Sequence, residues 1–360
     1  MKIIKKELKD VVAIVKRFIK DKENGRIFIQ SDQDGTIKIQ AFTKQIISLH
    51  VLQQLDEEDF AFLVNPYELE PLLKGRDKEL EFEVKDDFLF LGEQYVPIQT
   101  HGKKTLVPFQ NLTEFQNEQI FLDVLKEADS VLFDSMQTCT SYLKITPKKA
   151  LATEPKRIHF YRMDEQFGFK EACLHKDVVT VLTKVLKGPL KHGMFKNAFV
   201  LQDGEKHYYL LKIDQKVSFP MLRHMKPLEL VSVFEVNATT FNELTANYKK
   251  KVKEIAFSDK KGYMEIDPRN EEFETSSLPI QSKHTDEKIT KGNFGEVVFE
   301  SSTIKGLFMG YQGMVNIEHY RFENSYGQEG YMWRITTTDK ITMAAGITEP
   351  KWDELKIQNA

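Results

Sequence analysis

The run Asp32-Gln33-Asp34-Gly35-Thr36 has the residue types and spacing of an aspartate-based phosphatase site. There the first carboxylate attacks phosphorus and the second is its acid/base partner. That chemistry places the nucleophile at the end of a buried parallel strand, which reads as a continuous apolar run. Here both flanks alternate. Ile27 and Ile29 precede the turn and Ile37 and Ile39 follow it, with Arg26, Gln30, Lys38 and Gln40 between them. Period-two alternation around Asp-Gly signals a hairpin, whose glycine supplies a positive φ. A second acidic pair, Asp86-Asp87, also sits in an alternating stretch. A turn is the expectation, and a phosphatase using Asp32 and Asp34 is the minor alternative.

Other catalytic patterns are missing from the chain. Gly102-Lys103-Lys104-Thr105 lacks the first glycine of a phosphate-binding loop. H-E-x-x-H, G-x-S-x-G and G-x-G-x-x-G do not occur. His175-Lys176-Asp177 reads as a helix start, and the nine histidines are scattered. Cys139 and Cys173 stand outside any C-x-x-C or zinc spacing and read as buried free thiols. Neither catalysis, metal nor cofactor is expected.

The net charge is −3, so a nucleic-acid or membrane partner would have to be met by a local patch. No apolar run approaches the ~20 residues of a membrane span, and the N-terminus has no signal-peptide core. A cytoplasmic protein is expected. With 360 residues the chain is long enough for two or three domains.

One plan occurs three times. Lys9 to Lys22 is an amphipathic helix with Val11, Val12, Val15, Phe18 and Ile19 on one face. Strands follow, then a helix opening at Asn65-Pro66, then the hairpin-like stretch Glu79 to Ile98. The order returns from about residue 118, with Phe121, Val124, Leu125, Ala128, Val131 and Leu132 on the helix face, and again near Asn237. The units recur about every 115 residues. They predict an α+β protein of three repeated domains, 1–112, 113–230 and 231–347, with a tail over 348–360. In each, two helices pack on one side of antiparallel sheets.

In this layout the chain resembles the bacterial DNA sliding clamp, the beta subunit of DNA polymerase III. Two stretches carry the local likeness. Leu211 to Pro227 (LKIDQKVSFPMLRHMKP) is similar to the family's junction of second and third domains. Ala150 to Tyr161 (ALATEPKRIHFY) is similar to its Ala-Thr-Asp-Gly-His-Arg-Leu stretch. Glu154-Pro155-Lys156 departs from that pattern, as does Met343-Ala344-Ala345-Gly346-Ile347 from the family's closing Met-Pro-Met-Arg-Leu. The divergence suits a phage or mobile-element copy. The resemblance implies a head-to-tail homodimeric ring of six domains. Such a ring encircles double-stranded DNA and tethers a DNA polymerase, and a separate ATP-driven clamp loader places it.

The resemblance turns the helices toward a common hole, where lysine and arginine meet phosphates at any base sequence. The candidate DNA-binding residues are Lys9, Lys16, Arg17 and Lys20 on the first helix, and Lys184, Lys187 and Lys191 assigned to the second domain's second helix. Lys249, Lys250 and Lys253 join them from the third domain's helix. Without that layout the same lysines read as solvated helix faces. The implied peptide groove is formed by Leu143, Thr153, Pro155, Arg157, Ile158, Pro220, Met225, Ile341 and Met343. Leu355 and Ile357 in the tail have the spacing of the leucine pair in clamp-binding peptides. A clamp-fold binding or decoy protein that does not encircle DNA is the other alternative.

Overall fold

The computed structural model describes residues 1–346 except 33, 76–77, 105–108, 110, 135–137, 155, 215–216, 220–226, 247, 249–251, 261, 283–294, 305–306, 309 and 324–328. The first repeat runs β1 (Lys2–Ile4), α1 (Lys5–Phe18), β2 (Ile27–Ser31), β3 (Thr36–Phe42), β4 (Ile46–Gln53), β5 (Ala61–Val64), α2 (Pro66–Leu72), β6 (Glu79–Glu81), β7 (Glu83–Lys85), β8 (Phe88–Leu91) and β9 (Gln94–Thr100). The second runs β10 (Thr113–Glu114), α3 (Glu118–Val131), β11 (Tyr142–Ile145), β12 (Lys149–Glu154), β13 (Arg157–Arg162), β14 (Ala172–His175), α4 (Lys176–Val185), β15 (Leu190–Phe195), β16 (Ala198–Asp203) and β17 (His207–Lys212). The third runs β18 (Pro227–Asn237), α5 (Ala238–Ala246), β19 (Glu254–Asp259), β20 (Tyr263–Asp267), β21 (Ser276–Pro279), β22 (Gln281–Ser282), β23 (Glu296–Glu300), α6 (Ser301–Ile304), β24 (Met314–Glu323), β25 (Glu329–Thr336) and β26 (Lys340–Ala345). The architecture is α+β, with antiparallel pairing between its described strands.

Local chemistry sets the helix limits. In α1 the stripe Leu8, Val11, Val12, Val15 and Phe18 is buried, each side chain contributing about 2 kcal/mol of apolar burial. The helix starts four residues before the expected Lys9 and ends at Phe18. Beyond it the Asp21 carboxylate accepts the N–H groups of Glu23 and Asn24, a local turn that competes with helix. Asn65 caps α2 through the Tyr67 N–H, with Pro66 in the first turn. His175 caps α4 by accepting the Asp177 N–H. The third repeat departs from expectation, because α5 covers nine residues and Lys253 lies past it in a non-helical segment.

Packing divides the chain into two compact units, residues 1–126 with 164–215, and residues 127–163 with 216–360. In the first, eleven strands follow the order β10-β15-β16-β17-β4-β3-β2-β5-β9-β8-β7. The β17–β4 pair, in register from His207 opposite His50 to Leu211 opposite Ile46, joins strands of two repeats. In the second unit β11-β12-β13-β26-β25-β24-β18-β22 follow one another, and β13–β26 again joins two repeats. Pairing edge strands across repeat boundaries satisfies backbone groups that would otherwise template aggregation. The core of this unit gathers Phe234, Phe241, Phe257, Phe299, Phe308 and Trp333.

Candidate functional site

Asp32 and Asp34 lie in the loop joining β2 to β3, where Phe28 faces Gln40 and Ser31 faces Ile37 in antiparallel register. The Asp32 N–H donates to the Thr36 carbonyl at 2.8 Å, and Asp34 accepts the Thr36 N–H at 3.1 Å. Gly35 has φ +74°, which the turn requires. Lys38 pairs with Asp32 and lies 3.8 Å from Asp34. Both carboxylates are engaged in a hairpin, so the arrangement builds a turn. Among the described residues no cluster of three or more His, Cys, Asp or Glu could hold a metal. Cys139 and Cys173 are buried thiols outside any disulfide. No described helix is long and apolar enough to cross a membrane.

The cations expected to meet DNA differ in their surroundings. Lys9 and Arg17 are exposed on α1, and neither makes an ion pair among the described residues. Lys16 pairs with Glu70 of α2 and lies 4.7 Å from the centre of the Tyr67 ring. Lys20, past the end of α1, pairs with Asp177 of α4 at 2.6 Å. That lysine holds the Asp177 carboxyl below its ordinary range. Lys184 is exposed on α4, and Lys187 is exposed just after it. Lys191 is not on the helix. It lies on β15, 3.5 Å from Glu114 of the neighbouring β10, because α4 ends at Val185. Lys253 is exposed, while Lys249 and Lys250 lie outside the described residues.

Strand register sorts the residues expected to form a groove onto two faces, since side chains alternate along a strand. Thr153 on β12 is opposite Ile158 on β13, and Ile158 is opposite Met343 on β26. Ile341 follows on the same face, opposite Phe160. Thr153 and Ile158 are buried, and Ile341 and Met343 are half-buried. Thr153 Oγ1 is buried without a hydrogen-bond partner. Arg157 is one residue out of phase and occupies the other face. There it donates to the Thr303 carbonyl at 2.9 Å and pairs with Glu154. Leu143, adjacent to Lys144 opposite Leu151, falls on that same inner face and is fully buried. Pro155, Pro220, Met225, Leu355 and Ile357 lie outside the described residues.

Several ionisable groups that the sequence did not single out are buried. His50 and His207 meet across β4 and β17 with their Nδ1 atoms 2.9 Å apart, so at least one ring is neutral. Burial lowers both below the ordinary histidine range, and the neighbouring ring lowers His50 further. Lys340 pairs with Glu127 and lies 4.8 Å from the centre of the Tyr311 ring. Burial lowers its amine, and Glu127 opposes that shift. Periodicity gives no warning of these pairs, since their members are 157 and 213 residues apart.

Comparison of the whole chain with solved structures decides the fold. The Helicobacter pylori beta clamp bound to a DNA ligase peptide is similar over 97% of this chain and 100% of its own, with TM-score 0.75 and 14% identity. The DNA polymerase III subunit beta of Pseudomonas aeruginosa matches over the same shares, with TM-score 0.74 and 11% identity. The fold is that of the bacterial beta clamps. No family model and no curated protein sequence matches the chain. On the beta-clamp fold, the faces described above hold exposed Lys9 and Arg17 on α1 and a partly open apolar row at Ile341 and Met343.

Proposed function

We propose that the chain is a DNA sliding clamp, a non-catalytic processivity factor of three domains, 1–112, 113–230 and 231–347. Two copies close head to tail around duplex DNA in the cytoplasm and tether a DNA polymerase through the groove at Thr153, Ile158, Ile341 and Met343. The observation that carries this reading is a beta-clamp fold over 97% of the chain at 11–14% identity. Exposed Lys9, Arg17, Lys184 and Lys187 supply charge to phosphates without base readout. A separate loader is part of the proposal, because a closed ring needs opening. A phage or mobile-element source accounts for the low identity.

The head-to-tail interface has a candidate surface in the first repeat. Phe88, Phe90 and Tyr95 form an aromatic cluster on β8 and β9, with ring centres 5.3 to 6.2 Å apart. Tyr95 is 59% exposed there. Exposed aromatic groups at a sheet end suit a closed symmetric assembly.

Single-particle electron microscopy and primer extension on a long template test the proposal together. A two-fold ring and longer products with the cognate polymerase are expected. Monomers at micromolar concentration and unchanged product length would overturn it. The alternative, a clamp-fold binding or decoy protein that does not encircle DNA, draws on the pairing of Lys16 and Lys20 with acidic neighbours. Peptide binding without any ring would favour it.

A further inference from the structure

The large sheet of the first unit has one face under helices and one face turned away from them. On the covered face Ala41, Ser48, Tyr209 and Leu201 lie opposite one another on β3, β4, β17 and β16, all buried. Phe18 of α1 meets Tyr209 there, edge to face at 6.0 Å. One residue along each strand the side chains point the other way. That row is Phe42 on β3, Ile47 on β4 and Leu210 on β17, and buried Val200 continues it on β16. Phe42 is 52% exposed, and Ile47 and Leu210 are half-buried. Phe195 on β15 is 45% exposed on the same face, its ring centre 5.3 Å from that of Phe109. Single exposed apolar side chains are ordinary, whereas a strip of them across neighbouring strands marks a docking surface.

The side of the strip nearest the turns is cationic. Lys44 lies in the turn between β3 and β4. Lys212, opposite Ala198, is two residues beyond Leu210 and on the same face. Lys196 is in the turn between β15 and β16, with its amine 5.5 Å from the centre of the Phe195 ring. All three lysines are exposed, and none makes an ion pair among the described residues. Thr43, Gln45 and Asn197, the other residues of these two turns, carry no charge. The free chain therefore offers three cations beside an apolar strip without a carboxylate from either turn to answer them.

Pairing decides what can sit there. Each strand under the strip has a hydrogen-bonded neighbour on both sides, so no further strand can add to it. An occupant must bring a backbone that satisfies its own polar groups, as a helix does. From Phe42 to Phe195 the strip crosses four strand spacings, about 19 Å, which is between three and four turns of α-helix. Neighbouring rows of a strand are about 7 Å apart, so the flank of such a helix reaches Lys212. We infer that this strip docks an acidic amphipathic helix of a partner protein. Its apolar stripe covers Phe42, Ile47, Leu210 and Phe195, and carboxylates on one flank meet Lys44, Lys196 and Lys212. The surface consists of first-unit residues alone. It uses none of the residues expected to form a groove or to meet DNA, so it stands whether or not two copies close a ring.

Fluorescein-labelled synthetic helices test it on the full chain by fluorescence polarisation. Each carries leucine at i, i+4, i+7 and i+11, with one flank of glutamates, of glutamines or of lysines. The glutamate peptide is expected to bind at least tenfold tighter than the glutamine peptide at low salt, and the margin should shrink at high salt as screening predicts. The K44E/K212E variant should erase that margin, leave the glutamine peptide unchanged and make the lysine peptide the tightest of the three. The F42S/F195S variant should weaken the glutamate and glutamine peptides alike, by at least tenfold. All four substituted residues are exposed, so both variants should keep the urea midpoint of the parent chain. Equal binding of the glutamate and glutamine peptides, a margin that survives K44E/K212E, full affinity in F42S/F195S, or no binding by any peptide would overturn the inference. Sedimentation equilibrium addresses a second copy as the occupant. A lower molar mass for F42S/F195S than for the parent chain would assign the strip to a contact between copies and overturn the separate partner.

Discussion

Helices α1 and α3 open the first and second repeats with the same kind of buried stripe and with polar faces that serve different ends. In α1 the stripe is Leu8, Val11, Val12, Val15 and Phe18; in α3 it is Phe121, Val124, Leu125, Ala128 and Val131. The polar groups of α1 that lie outward are mostly cations, including exposed Lys9 and Arg17. Two acidic groups of α3 are taken up by the fold, while Asp123 is exposed. Glu118 accepts the Leu190 N–H at 2.8 Å, and Glu127 pairs with buried Lys340. An acidic helix face therefore need not oppose DNA binding, because its carboxylates can be structural. What a helix charge does depends on where its partner is.

The largest effect tests the shared stripe. Phe121→Ala and Leu8→Ala should each cost about 3 kcal/mol or more of unfolding free energy, measured in urea. A loss under about 1 kcal/mol in either would show that its stripe is not packed as described.

Next comes the inward carboxylate. Glu127→Ala removes the carboxylate paired with the buried Lys340 amine beside Tyr161 and Tyr311, at a cost of about 3 kcal/mol. The outward pair gives the contrast, since Asp177→Ala should change stability by less than about 1 kcal/mol. Equal losses in urea melts of the two variants would erase the distinction between inward and outward carboxylates.

Buried histidines extend the same contrast to pH. His319 accepts the Trp333 indole N–H on Nδ1 at 3.0 Å, and burial lowers its pKa to about 3. The unfolded chain takes up this proton near pH 6.5 and the folded chain does not until about pH 3. The associated stability is therefore whole above 6.5 and declines as pH falls between those values. At pH 5.5 the loss from this group is on the order of 1 kcal/mol. His50 and His159 shift in the same direction through burial. A flat urea midpoint from pH 7 to 5 would contradict neutral burial of these rings.

The smallest effect lies on the outward face. Lys9→Ala with Arg17→Ala should leave stability near wild type and lower the salt slope of DNA binding by about 0.9 for each phosphate no longer neutralised. Asp177→Ala should act in the opposite sense by releasing Lys20. An unchanged slope in both variants would make these cations ordinary solvated charges.

Much of the fold was legible because its signals are local. Alternation placed β2 and β3 around Asp34-Gly35, and Asn65-Pro66 marked the start of α2. The three-fold order of helices and strands needed only periodicity and spacing. Local signals failed where ends compete, as at α4, whose close at Val185 leaves Lys191 on a strand. For the residues proposed to form a groove, strand pairing decides the face each one takes. A one-residue phase difference separates Arg157 from Ile158, and only strand pairing tells which of the two faces inward.

By itself the sequence determined the α+β class, the repeat and the buried stripes, because each follows from side chains a few residues apart. Tertiary structure alone decided which charges remain outward. Glu127 meets Lys340 across 213 residues, Lys20 meets Asp177 across 157, and Lys149 faces Arg162 through a hairpin register. Coulomb interactions depend on distance and burial, neither of which a linear spacing encodes.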